Sequence, residues 1–133
     1  MALKMGYKQL LTEANARIET IPAKDAIALA DDPNVQLVDI RDVRELERGG
    51  MIPGALHAPR GMLEFWVDPE SPYYKDVFGS DKKFVFYCAS GWRSALATDA
   101  LKSMGLEKVA HIDGGFTAWK EAGGPVAERP KKA

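Results

Sequence analysis

Apolar positions at Tyr7, Leu10, Leu11 and Ala14 recur at helical spacing, so residues 6–16 read as an amphipathic helix. Residues 17–21 alternate polar and apolar and predict a short strand at a sheet edge. Pro22 opens a second helix through Ala26–Ala30, since proline is tolerated in a first turn. Residues 31–34 end it, and residues 35–40 form the next strand. Asp42 and Glu45 have the spacing of a capping box, so a short helix follows and stops at Gly49-Gly50. Residues 51–54 read as a turn, 55–58 as a very short strand and 60–67 as one or two helical turns. Residues 68–81 form a long polar connection with room for a turn of helix. The unbroken apolar run after Lys82 and Lys83 is the clearest buried strand, residues 83–88. Residues 92–104 predict a helix with Ala97, Ala100, Leu101 and Met104 on its apolar stripe and Gly105 as its stop. A last strand at 109–112, a Gly114-Gly115 turn and a helix at 116–122 complete the pattern. Strands alternate with helices throughout, which predicts an α/β fold with a parallel sheet covered on both faces.

At 133 residues the chain suits a single domain, 1–133, with its core over about 17–125 and a polar tail, 126–133, expected to be flexible. An apolar share of 46% beside 28% charged residues supports a real core. A net charge of −1 gives no general argument for nucleic-acid or anionic-membrane partners. No apolar run approaches the ~18 residues of a membrane span, and residues 1–8 lack the apolar core of a signal peptide. A cytoplasmic setting is therefore expected, and there the one cysteine stays a free thiol. One cysteine excludes an internal disulfide, a CxxC pair and a cysteine-rich zinc site. With two histidines far apart, no metal and no cofactor is expected.

The strongest local signal is Cys88-Ala89-Ser90-Gly91-Trp92-Arg93-Ser94, between the most buried strand and the longest helix. Ligands of open α/β sheets bind beyond the carboxyl ends of the strands. A cysteine there faces the free N–H groups of the next helix, whose field favours an anion and so a thiolate. Small residues at 89–91 let successive backbone N–H groups converge on the sulfur, and Arg93 adds a positive fork for an anionic substrate. A lone cysteine at a strand end is otherwise a small buried hydrophobe; the glycine-containing loop, the arginine and the helix weigh against that reading here. Three functions compete: sulfur transfer through a Cys88 persulfide, phosphatase or arsenate-reductase chemistry through a Cys88 thiolate, and a non-catalytic binding or sulfur-carrier module. Four residues separate Cys88 from Arg93. Phosphatases with such a loop place one more, so this ring suits an outer sulfur better than a tetrahedral phosphate.

The chain resembles a single-domain rhodanese, a thiosulfate sulfurtransferase-like protein, from Ile18 to Pro125. The resemblance rests on Leu37-Val38-Asp39-Ile40-Arg41, Gly50-Met51-Ile52-Pro53-Gly54-Ala55, Tyr87-Cys88 through Arg93-Ser94, and Asp113-Gly114-Gly115-Phe116-Thr117-Ala118-Trp119. Met51 stands where many relatives carry histidine. The resemblance implies a three-layer α/β/α fold with a five-stranded parallel sheet in the order 1-5-4-2-3. It implies a Cys88 nucleophile and a loop from Ala89, Ser90, Gly91 and Trp92 to Arg93 that cradles the persulfide. It also implies a thiosulfate-like small-molecule donor and a thiol, cyanide or acceptor-protein recipient.

The remaining polar residues read mostly as scaffold. Asp39 and Arg41 suggest an ion pair or loop cap. Gly114 and Gly115 suggest a tight turn, Trp119 a core residue, and His57 and His111 packed side chains rather than ligands. Arg60 follows the third strand and either faces substrate or pairs with Glu64. Trp66, Tyr73 and Tyr74 either rim the site for an acceptor protein or pack beneath the long connection.

Overall fold

The computed structural model describes residues 2–130. Five strands, β1 (Glu19–Ile21), β2 (Val35–Asp39), β3 (Leu56–His57), β4 (Lys83–Tyr87) and β5 (Val109–Ile112), form one sheet in the order β1-β5-β4-β2-β3. Every pairing is parallel, so all carboxyl ends share one edge. This is the order that the resemblance implies. The described residues hold six α-helices: α1 (Tyr7–Arg17) before β1, α2 (Ala23–Leu29), α3 (Val43–Gly49), α4 (Leu63–Val67) and α5 (Trp92–Ser103) between strands, and α6 (Gly115–Glu121) after β5. None of the described helices is long and apolar enough to cross a membrane.

The two-residue alternation of β4 divides the core. Val85 and Tyr87 join Leu37, Ala110 and Ile112 against Ala23 and Ala26 of α2 and Phe116 and Trp119 of α6. Phe84, Phe86 and Cys88 face the other way, with Val38 and Ile40, against Leu63 of α4 and Ala97 and Leu101 of α5. Helix α1 packs over α5, tied by a two-bond ion pair between Arg17 and Asp99 at 2.8 and 2.6 Å. Arg17 thereby completes α1, and the strand expected from residue 17 begins at Glu19.

Asp42 caps α3 by accepting from the Arg44 N–H at 2.8 Å, and Glu45 accepts from the Asp42 N–H at 3.1 Å, as the capping-box spacing predicts. The long connection holds a 3₁₀ turn, Asp76–Gly79, which buries Phe78 on Phe84 with ring centroids 5.0 Å apart. On α5 the buried face is Ser94, Ala95, Ala97, Thr98 and Leu101. Met104, expected on the stripe, is the exposed C-cap residue, because the helix ends at Ser103.

The start of the polar tail pairs with the turn that follows α3. The Met51 N–H donates to the Ala127 carbonyl and the Ala127 N–H to the Met51 carbonyl, both at 2.8 Å, in an antiparallel bridge. The polar composition that suggested a loose tail governs side chains, whereas the bridge is made by backbone. Residues 131–133 lie outside the described residues.

Candidate active site

β4 is central in the sheet, and its chain passes directly into Cys88, which is 1% exposed. The backbone must then reverse into α5 within three residues. Gly91, the N-cap of α5, makes the reversal at φ 99°, a left-handed conformation that side chains resist. Its N–H donates to Cys88 Sγ at 3.2 Å.

The loop carbonyls are held from the opposite side. The Phe116 N–H donates to the Cys88 carbonyl at 2.8 Å and the Thr117 N–H to the Ala89 carbonyl at 3.1 Å. Trans peptide geometry then turns the Ala89 and Ser90 N–H groups away from α6. The Gly114-Gly115 turn permits this approach, because a Cβ on Gly115 would lie 2.4 Å from the Cys88 carbonyl oxygen. Local spacing predicts a tight turn here and carries no mark of its close contact with the sulfur loop.

Two of the Arg93 donors bind Glu45 rather than facing open solvent. Nη1 donates to Oε1 at 2.7 Å and Nη2 to Oε2 at 3.0 Å, bracing the start of α5 against α3. Arg93 holds the Glu45 carboxyl below its usual range, with burial opposing and the Asp42 N–H adding to the effect. Arg60 donates through Nη1 to Glu64 at 2.9 Å, the pairing that sequence spacing offered as one alternative. Its backbone N–H bonds the Ile40 carbonyl, which keeps it at the same sheet edge as Cys88. Trp92 is half-exposed and packs on Tyr7 of α1, with centroids 5.1 Å apart. Ala89 is partly buried and Ser90 exposed.

Scaffold readings from the sequence find counterparts here. Arg41 grips Asp39 with Nε and Nη2 at 3.0 and 2.7 Å, both side chains buried, and Nη2 also reaches the Gly50 carbonyl at 2.8 Å. His57 Nε2 bonds the Arg41 carbonyl oxygen at 2.8 Å. Trp119 is fully buried, and its Nε1 donates to the Pro125 carbonyl at 2.8 Å. Trp66 packs beneath the connection while Tyr73 is exposed.

The loop motif ends on Ser94, to which sequence spacing assigns no role. Its Oγ accepts from Cys88 Sγ at 3.6 Å and lies 2.9 Å from His111 Nδ1. The available signal was its place one helical turn into α5, three residues after the capping glycine, where its side chain turns back over the loop.

The family profile described as rhodanese-like domain matches residues 22–122. An Allochromatium vinosum protein named sulfurtransferase is 37% identical over 98 residues, covering 74% of this chain and 83% of that protein. A solved Rhodopseudomonas palustris structure, described as of unknown function and a possible tyrosine phosphatase, superposes with a TM-score of 0.92 and is 56% identical. It covers 96% of this chain and 98% of its own. The polysulfide-sulfur transferase homodimer of Wolinella succinogenes gives a TM-score of 0.69 at 30% identity, over 92% of this chain and 88% of its own. The profile match spans β2 to β5 together with the loop that encloses Cys88, and the protein belongs to the rhodanese-like domain family.

Proposed function

We propose that the protein transfers sulfane sulfur through a Cys88 persulfide. The carrying observation is the enclosure of Cys88 Sγ, with its loop carbonyls bound outward to α6 and the Gly91 N–H directed at the sulfur. The thiolate attacks the outer sulfur of a thiosulfate-like donor. A new S–S bond forms, and the donor's own S–S bond breaks with its electron pair leaving on sulfite. The N–H groups of the loop from Ala89 to Arg93 hold the outer sulfur. A thiophilic acceptor, cyanide in an assay or a thiol, then attacks that sulfur, and Cys88 leaves as thiolate. Cys88 is the only cysteine of the chain, so the resolving nucleophile comes from another molecule, a small thiol or an acceptor protein. In this reading Arg93 shapes the loop from its Glu45 brace, and Arg60, partly exposed at the same edge, attracts the anionic donor.

The relative described as a possible tyrosine phosphatase makes phosphate-ester hydrolysis the second reading. Two features weigh against it: the four-residue spacing between Cys88 and Arg93, and the bidentate hold of Glu45 on the guanidinium that a phosphate would need. The test is thiosulfate:cyanide turnover beside aryl-phosphate hydrolysis, in the native chain and in Cys88→Ser. Turnover with thiosulfate alone, lost in the variant while its circular dichroism is unchanged, is expected. Retained turnover in Cys88→Ser overturns the persulfide, and appreciable phosphatase activity in the native chain reverses the two readings.

A further inference from the structure

His111 is a buried titratable group, 2% exposed, that the sulfur-transfer steps leave unused. It lies on β5 between Ala110 and Ile112, whose side chains belong to the opposite core, so its ring turns to the face covered by α5 and α1. Side chains from three other elements meet it. Ser94 Oγ of α5 is 2.9 Å from Nδ1, Asn15 Oδ1 of α1 is 3.1 Å from Nε2, and Thr20 Oγ1 of β1 is 3.2 Å from Nε2.

The hydrogen-bond partners determine which ring nitrogen carries the proton. Asn15 donates its amide N–H to the Leu11 carbonyl at 3.0 Å, so the atom it turns to His111 is the carbonyl oxygen. That oxygen only accepts, so Nε2 holds the proton and Nδ1 presents a lone pair. Thr20 shares the Nε2 proton and donates to Asn15 Oδ1 at 3.5 Å. Ser94 must therefore donate to Nδ1, which leaves its oxygen lone pairs facing the Cys88 S–H at 3.6 Å. Donors run in one unbroken direction: Cys88 S–H to Ser94, Ser94 O–H to His111, His111 Nε2–H to Asn15.

We propose that His111, acting through Ser94, receives the Cys88 proton as the thiol becomes the attacking thiolate, with Asn15 fixing the imidazole tautomer. The proposal rests on the reading of Cys88 as the nucleophile. The S–H bond breaks as its proton bonds Ser94 Oγ, and the original Ser94 O–H bond breaks as that proton bonds Nδ1. The products are a thiolate, an intact serine hydroxyl and an imidazolium, and no electrons change owner. Ser94 then donates to the thiolate, and the new cation and anion attract across it. His111 is a positioning residue, since it touches the reacting sulfur only through Ser94.

The resting ring is neutral and so free to accept. Burial pushes the His111 imidazole down from its ordinary value, and Asp113 at the end of β5 opposes that. On α1, Lys8 is exposed and Glu13 partly buried; the other charged groups of α1, β1 and α5 are paired within the protein. Arg17 pairs with Asp99 between α1 and α5, and Lys102 binds the Arg17 carbonyl. Glu19 of β1 pairs with Lys83 of β4, and Arg93 pairs with Glu45.

The test is the pH profile of Cys88 alkylation by iodoacetamide in the native chain and in His111→Asn, read by mass. Asparagine keeps an acceptor near the Nδ1 position but has no basic nitrogen. The variant is expected to react about tenfold more slowly at pH 7, one pH unit's worth of thiolate, and at the native rate at pH 10, where solvent removes the proton. Superposable profiles overturn the relay. If the variant does not fold, 15N imidazole shifts of the native chain decide. A neutral Nε2–H tautomer that gains an Nδ1 proton as the thiolate appears supports it, and a neutral Nδ1–H tautomer overturns it. Neither measurement uses a sulfur donor, so failure of thiosulfate turnover with the alkylation profile intact would sink the sulfur-transfer reading and not the relay.

Discussion

A single hydrogen at position 115 governs how closely α6 can support the sulfur loop. The Cβ of an alanine there would meet the Cys88 carbonyl oxygen at 2.4 Å and the Ala89 carbonyl carbon at 2.8 Å, both backbone, and φ is +59°. Backbone cannot swing aside as a flexible side chain does, so α6 must retreat and release the two N–H bonds from Phe116 and Thr117. Gly115→Ala is expected to cost about 2–3 kcal/mol, the sum of left-handed strain and a displaced contact, read as a lower urea midpoint. Sulfur-transfer rate per folded molecule should fall too, because the freed carbonyls let the loop N–H groups rotate off the sulfur. Gly61→Ala is the control, since its added Cβ meets nothing within 4 Å and its φ is not in the left-handed range. A Gly115→Ala protein as stable and active as that control would show that α6 does not set the loop.

Between elements, Glu45 does two jobs: it completes the cap of α3 and braces α5 through Arg93. The capping half was legible from the spacing of Asp42 and Glu45. The brace was not, because Arg93 lies 48 residues away and only the fold brings α5 beside α3. Local spacing instead offered Arg93 to the substrate. The side chains are 42% and 31% exposed, so solvent screening limits the pair to about 0.5–1 kcal/mol. Its pH dependence has a definite sign. Arg93 is the main cause holding the Glu45 carboxyl below its ordinary value of 4.5, so the folded chain binds this proton more weakly than the unfolded chain. The contribution is complete above about pH 4.5 and is lost as pH falls through the depressed value. Glu45→Gln keeps an oxygen for the Asp42 N–H and removes the charge. Urea titrations should place it below the native chain at pH 6, with the gap closing toward pH 3 and narrowing in high salt. A gap of equal size at both pH values would mean that the brace is not ionic.

For the molecule as a whole, the layers were legible because β4 and its neighbours carry the period-two alternation that fills two cores at once. Contacts joining distant segments were not. His111 meets Asn15 across 96 residues, and no local pattern marks either one. The tail is a second case. Trp119 anchors the Pro125 carbonyl, and two residues later Ala127 exchanges both backbone bonds with Met51. The segment it pairs with also serves the ends of β2 and β4: the Gly50 carbonyl holds Arg41, two residues past β2, and the Ile52 N–H bonds the Tyr87 hydroxyl at 3.2 Å, one residue before Cys88. The start of the tail thus closes the molecule behind a stretch that anchors the active-site strand. Removing the chain from Val126 onward forfeits two backbone hydrogen bonds and uncovers Met51, now 8% exposed. At about 1 kcal/mol for each bond, the loss should be about 2 kcal/mol, or roughly 4–10 °C in Tm for a domain of this size. Exchange of the Met51 amide should quicken well beyond that global loss, because its acceptor is gone even in the folded state. Thiosulfate:cyanide turnover at a temperature where both chains are folded should be unchanged. A truncated chain with native Tm and native Met51 exchange would show that the bridge contributes nothing, and a selective loss of turnover would show that the anchoring of β4 reaches the sulfur.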